Sequence, residues 1–256
     1  MTEGRRYSAA WLTAAALLFI ADIFLHLPIS DVCDTLVKRY GFFPFDGLVR
    51  RGFEAAGGVC LCAAWLSPRR ERTVVSTAAV ALAMVVISAQ FLIVLNGVED
   101  VHYPQYALLA YVAARGLPSL EAAWAGATLL GAVDEGYQYV ALPRGTPAYY
   151  DWNDVVLNAI GSALGILIAA AWARRAVRTE LLPRRWLLLI VCAGITAAVI
   201  VAPPVFRPFF DVTPGGRRFH HMAGWEALTV VAGLWWGVRY FVTRAISSRA
   251  PNFPAT

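Results

Sequence analysis

Between residues 96 and 165, three stretches place acids, amides, a histidine and a guanidinium at helical spacing where apolar runs begin or end. In NGVEDVHYPQYALLAYVAARG, Glu99, His102, Tyr106 and Leu109 follow one another by three, four and three residues, which puts them on one helix face. In GAVDEGYQYVALPRG, Glu135 and Gln138 are three apart, and Arg144 follows between Pro143 and Gly145. In AYYDWNDVVLNAIGSALGILI, Asp154, Asn158, Gly161 and Gly165 share a face, with Asp154 positioned to cap or lead the first turn. The chemistry these groups suit is acid/base work by the catalytic candidates Glu135 or His102 on a phosphate. The planar fork of Arg144 would hold that phosphate, and Asp154 would orient the arginine or the histidine. Gln138, Asn158, Glu99, Tyr106 and Asp151 complete the set of candidate binding residues.

Each of these residues also has an ordinary structural use. Glu99, His102 and Glu135 suit a water-exposed helix end, and Gln138 and Asn158 suit hydrogen bonding between helices. Arg144 suits an ion pair with Glu135, Asp151 or Asp154. Gly161 and Gly165 form a GxxxG pair, whose small residues admit a neighbouring backbone and would press Asn158 against another helix. Near the outer end of the first apolar run, Asp22 and His26 are four apart and suit either the cluster or a pair with each other. Farther on, TPGGRRFHHMAGWE offers Arg217, Arg218, His220, His221 and Glu226, which read first as a basic interfacial loop. Neither HExxH nor comparable ligand spacing is present, so no metal and no cofactor is assigned. Nucleophile elbows, phosphate loops and dinucleotide fingerprints are missing as well.

The elements that must position these groups are membrane spans. The 256 residues are 59% hydrophobic and 15% charged, with a mean hydropathy of +0.56, against roughly 25% charged residues in soluble domains. Apolar runs fall at 8–27, 52–66, 73–97, 101–115, 118–133, 155–173, 185–203 and 222–243. They predict an all-α, polytopic transmembrane bundle of about eight helices, or six if a fourth-and-fifth re-entrant hairpin forms. No soluble domain, repeat or low-complexity tail interrupts a single membrane domain over 1–256. Cys33, Cys60, Cys62 and Cys192 form neither a metal cluster nor a disulfide framework.

With both termini on the cytoplasmic side, the inner segments hold Arg5 and Arg6, Arg69, Arg70 and Arg72, Arg115, the arginines between 174 and 185, and Arg244 and Arg249. Acids separate the sides more sharply: Asp31, Asp34, Asp46, Glu99, Asp100, Asp134, Glu135, Asp151, Asp154 and Asp211 all fall outside. The net charge of +5 is therefore read as orientation in the bilayer, and nucleic acid is not a partner.

His102 with Tyr106, Glu135 with Gln138, Arg144, and then Asp154, Asn158, Gly161 and Gly165, in that order, resemble the VanZ-like family of bacterial membrane proteins. The likeness covers about residues 85–170 and leaves 1–84 and 171–256 as flanking transmembrane helices. The stretch from Arg144 to Asp154 is longer than the family usually has, which leaves Asp151 as the alternative occupant of the Asp154 position. The resemblance implies a bacterial inner-membrane location and a link to glycopeptide-antibiotic resistance and envelope biology. It supplies no chemical mechanism, so whether the protein is an enzyme stays open. Three functions fit the residues: binding or processing a lipid-linked phosphate or amphipathic small molecule in a pocket facing the periplasm or exterior, a non-enzymatic membrane scaffold, and a small-molecule transporter. Membrane lipid is the expected partner, and the oligomeric state is not assigned.

Overall fold

The computed structural model describes residues 3–65, 72–117, 119–141, 150–172, 209–212, 216 and 218–247. Within them the chain forms α1 (Glu3–Tyr40), α2 (Phe42–Trp65), α3 (Arg72–Leu92), a 3-10 helix (Gly97–Val101), α4 (His102–Gly116), α5 (Leu120–Ala141), α6 (Trp152–Trp172), strands β1 (Phe209–Val212) and β2 (Arg218–His221), and α7 (Gly224–Ser247). The fold is helical, and among the described residues three helices contain stretches long and apolar enough to cross a membrane: Ser8–Tyr40, Val74–Leu92 and Trp152–Ala171. Leu17, Phe24 and Leu25 on α1 and Met84 and Phe91 on α3 stay exposed, as side chains facing lipid would be. The run at 185–203 lies outside the described residues.

Two elements depart from the sequence reading. A first span over 8–27 followed by a loop was expected, yet α1 continues through Pro28 for 38 residues, about 57 Å. A single internal proline removes one backbone donor, and Lys38 and Arg39 in the last turn favour the negative end of the helix dipole. The helix stops at Gly41, whose φ of +83° and N–H bond to the Val37 carbonyl (2.8 Å) form a left-handed cap before α2. The segment read as a basic loop before α7 instead carries an antiparallel ribbon that pairs Phe209 with His221 and Val212 with Arg218. This ribbon is the one departure from all-α structure among the described residues.

Helix α6 is the axis of the bundle. In its most apolar stretch 78% of residues are buried, against 6% for α1, so α6 is wrapped by protein while α1 lies at the periphery. It packs most extensively on α4, and the reason is the GxxxG pair. A Cβ on Gly161 would lie 2.7 Å from the carbonyl oxygens of both His102 and Tyr103, and one on Gly165 would lie 2.1 Å from that of Ala107. Only hydrogen fits at either position, so the α4 backbone sits directly on the α6 surface. Helix α5 closes the other side: Gly131 faces the Asn158 side chain, and the Trp124 indole donates to the Ala159 carbonyl at 3.0 Å.

Asn153 ties the start of α6 to its surroundings. Its amide donates to the carbonyls of Ile93 (3.0 Å) and His220 (2.8 Å), and its oxygen accepts from the Met222 N–H (2.9 Å). Glu226 caps α7 by accepting from the Ala223 N–H at 2.9 Å and also meets His220 Nε2 at 2.9 Å.

Candidate functional site

The start of α4, the end of α5 and the start of α6 meet at one end of the bundle. There His102, Glu135 and Asp154 each offer one nitrogen or oxygen atom, all within 4.8 Å of one another. His102 and Glu135 are buried, and Asp154 is nearly so. His102 Nε2 lies 3.4 Å from Asp154 Oδ2. The backbone contact between α4 and the GxxxG surface sets this geometry, because Gly161 touches the His102 carbonyl two turns beyond Asp154.

A second layer surrounds the three. Gln138 Nε2 donates to Glu135 Oε1 (3.3 Å) and to Asp134 Oδ2 (3.1 Å), and the fully buried Tyr106 hydroxyl reaches Asp134 Oδ2 at 3.4 Å. The His102 and Tyr106 rings stack with centroids 6.4 Å apart, one turn from each other on α4. Neither the amide nitrogen nor the oxygen of the buried Asn158 has a partner in hydrogen-bond geometry; His102 Nδ1, Asp134 Oδ1 and Asp154 Oδ1 are likewise buried without one. So many unsatisfied polar atoms in one place is costly for a cluster that serves packing alone.

The two candidate acids at the start of α6 have different work. Asp151 Oδ1 accepts from the backbone N–H of Asn153 (3.0 Å) and Asp154 (3.4 Å), so Asp151 is the helix cap and Asp154 is the acid that reaches His102. Burial, and then the charge of Asp154, pushes the Asp151 carboxyl above the usual carboxylate range. Glu99 was expected on the face of the fourth span with His102 and Tyr106; it lies instead in the 3-10 helix before α4. There its carboxylate accepts from the Leu95 N–H (2.6 Å) and the Asn96 amide (3.2 Å). Burial, with Asp154 and Asp151 nearby, raises its pKa. Glu99 thus closes a local turn at the margin of the cluster. Arg144 and Arg217 lie outside the described residues.

Residues that the sequence reading left out are Asp134, which bridges Tyr106 and Gln138, and Asn153. A third is Glu121, fully buried at the opposite end of α5, where Trp235 Nε1 (2.9 Å) and Arg239 Nη1 (3.1 Å) of α7 donate to Oε1. The signal for this pair was an acid and a base each alone in an apolar run. Asp22, offered as a cluster member or a partner for His26, accepts a hydrogen bond from Gln105 on α4.

On the other face of α4, Tyr103 lines an apolar cleft of about 700 Å³ between α2, α3 and α6, with Phe42, Phe53, Leu82, Val86 and Leu164 among its walls. Its polar rim is a chain: Arg50 donates to Gln90 Oε1 (2.5 Å), Gln90 donates to Asp100, and Asp46 accepts from the Gly97 N–H. Burial raises Asp100 to about 6, against the Gln90 hydrogen bond and the Arg50 charge. Compared with known proteins, the chain matches no family model, no curated protein and no solved structure.

Proposed function

We propose that this is a VanZ-like protein of the bacterial inner membrane, with eight spans and both termini in the cytoplasm, whose polar pocket opens to the periplasm or exterior. In this reading the pocket binds or processes the phosphate-bearing head of a lipid-linked envelope precursor. The observation that carries it is the convergence of His102, Glu135 and Asp154, from three helix ends, on one enclosed point. Ionisable groups at such depth are a functional signal. Helix α4 has 15 residues and rises about 22 Å, short of the ~30 Å hydrocarbon core, which favours a site recessed below the membrane surface.

The apolar cleft supports a lipid-bearing ligand, since it offers an apolar space lined by Tyr103, which follows His102 and faces the other side of α4. Arg144, nine residues after Glu135 and ten before Asp154, supplies the positive charge for the phosphate. His102 and Glu135 are the proton-transfer groups, if turnover occurs, with Asp154 holding the imidazole. The link to glycopeptide-antibiotic resistance rests on the family resemblance alone.

A scaffold reading has one observation in its favour, the Tyr106–Asp134–Gln138 network joining α4 to α5. Native mass spectrometry separates the two. The detergent-purified protein is compared with an Arg144→Ala variant of matched folded yield, in search of bound lipid phosphate. A specific mass lost in the variant supports the ligand site. No such mass in either protein, with equal stability, overturns it in favour of the scaffold.

A further inference from the structure

We propose that His102, Glu135 and Asp154 bind a divalent transition-metal ion, Zn²⁺ or Mn²⁺. The distance between the first and last of these residues is the first argument. A charge-assisted hydrogen bond draws its heavy atoms to about 2.7–2.9 Å. His102 Nε2 and Asp154 Oδ2 stand 3.4 Å apart. Two ligands each about 2.0–2.2 Å from one tetrahedral ion stand about 3.4 Å from each other. The spacing is thus longer than a charge-assisted hydrogen bond and matches that of two ligands on a shared ion. The Glu135 carboxylate lies within 4.8 Å of both, close enough for a rotamer adjustment to complete the set.

The second argument is the set of buried atoms left over. Asn158, with 0% exposure and one turn after Asp154 on α6, has no partner in hydrogen-bond geometry for either amide atom. Asp154 Oδ1 is also buried and unpartnered. An ion with its coordinated water gives such atoms acceptors and donors that the protein alone does not.

The donor set selects the ion. One imidazole nitrogen with carboxylate oxygens suits Zn²⁺ or Mn²⁺ better than Ca²⁺ or Mg²⁺, which prefer oxygen alone, or Cu⁺, which prefers sulfur. Gln138 donates to Glu135 Oε1, the outer contact that fixes a ligating carboxylate. Three protein ligands leave a coordination position open, as in sites that bind a water or a substrate oxygen. Placing a lipid phosphate oxygen there rests on the function proposed above; the ion itself does not, and with an ion bound His102, Glu135 and Asp154 would serve as ligands in place of the proton-transfer roles given there. The linear sequence hid the site because the ligands are 33 and 19 residues apart and come from separate helices.

The test uses the full chain in detergent, stripped with chelator, reloaded with Zn²⁺ or Mn²⁺, desalted and assayed by inductively coupled plasma mass spectrometry. The expected content is about one ion per chain, with affinity at least about tenfold weaker in folded His102→Ala, Glu135→Gln and Asp154→Asn variants and unchanged in Glu121→Gln. Pulsed electron paramagnetic resonance of the Mn²⁺-loaded native chain should show nitrogen coupling from one imidazole, a result that needs no variant to fold. A metal content near zero, equal content in the folded variants, or no nitrogen coupling overturns the inference. Lipid phosphate that co-purifies with a chain binding no metal overturns the ion and leaves the ligand reading standing. Metal bound without lipid phosphate supports the ion and removes the ligand.

Discussion

Gly165→Ala should separate α4 from α6 and, through that, pull the polar cluster apart. The new Cβ would stand 2.1 Å from the Ala107 carbonyl oxygen, against 3.4 Å for ordinary van der Waals contact, a shortfall of about 1.3 Å. It would also stand 2.9 Å from the Ala107 Cα and carbonyl carbon, so the obstacle is backbone and no side-chain rotation relieves it. Overpacking of this kind costs about 1–3 kcal/mol, and a rigid obstacle places the cost at the upper end. Alanine returns up to about 1 kcal/mol of helix propensity. The net is a loss of about 2 kcal/mol, or a Tm lower by about 4–8 °C. Gly52→Ala on α2 is the control, because a Cβ there meets nothing within 4 Å and should leave Tm unchanged or slightly raised. Thermal unfolding of both variants in the same detergent decides the matter. Equal melting of Gly165→Ala and Gly52→Ala would show that the α4–α6 backbone contact does not hold the bundle together.

Asn153→Ala removes three hydrogen bonds that join α6 to α3 and to the ribbon; at about 1 kcal/mol each it should cost about 2–4 kcal/mol in chemical unfolding, and cost nothing if the ribbon is not docked there. Arg239→Met strips a partner from the fully buried Glu121; with Arg239 about a third exposed, the loss should be about 2 kcal/mol, and combining it with Glu121→Gln should recover most of the Tm. Asp151→Ala should lower stability by about 1 kcal/mol through loss of the α6 cap without abolishing ligand binding. Asp154→Ala should do the reverse, and a thermal scan run beside the lipid mass measurement checks the pair.

Much of this site was legible because a helix is periodic. His102 with Tyr106, Glu135 with Gln138, and Asp154 with Asn158 stand three or four residues apart, and residues so spaced stay neighbours wherever the helix is placed. The three pairs meet because each lies at a helix end on one side of the chain's alternating path, which the apolar runs already mark. Asp134 escaped because it directly precedes Glu135, and adjacent residues point about 100° apart; only the packing of α4 on α5 brings Tyr106 to it. Glu121 and Arg239 escaped because no local rule relates residues 118 positions apart. The continuation of α1 past Pro28 escaped because a proline marks a helix boundary in sequence but costs only one donor in a helix whose other backbone bonds stay intact.

What distinguishes the cluster from polar packing is the division of work within a single turn of α6. Asp151 satisfies the helix end, Asn153 fastens it to α3 and the ribbon, and Trp152 seats its ring on Gly224 at the start of α7, where a Cβ would approach the indole to 2.9 Å. Each of these three holds the start of α6 in place, while Asp154, next in the chain, turns toward His102. If Asp154 served only to hold helices together, the same packing would be better met by an amide or an apolar residue, because an acid at this depth carries a desolvation cost that a 3.4 Å contact with one imidazole offsets poorly. Asp154→Asn should therefore keep or raise the Tm while weakening whatever the pocket binds. A variant that instead loses stability and keeps its ligand would return Asp154 to the packing of the bundle.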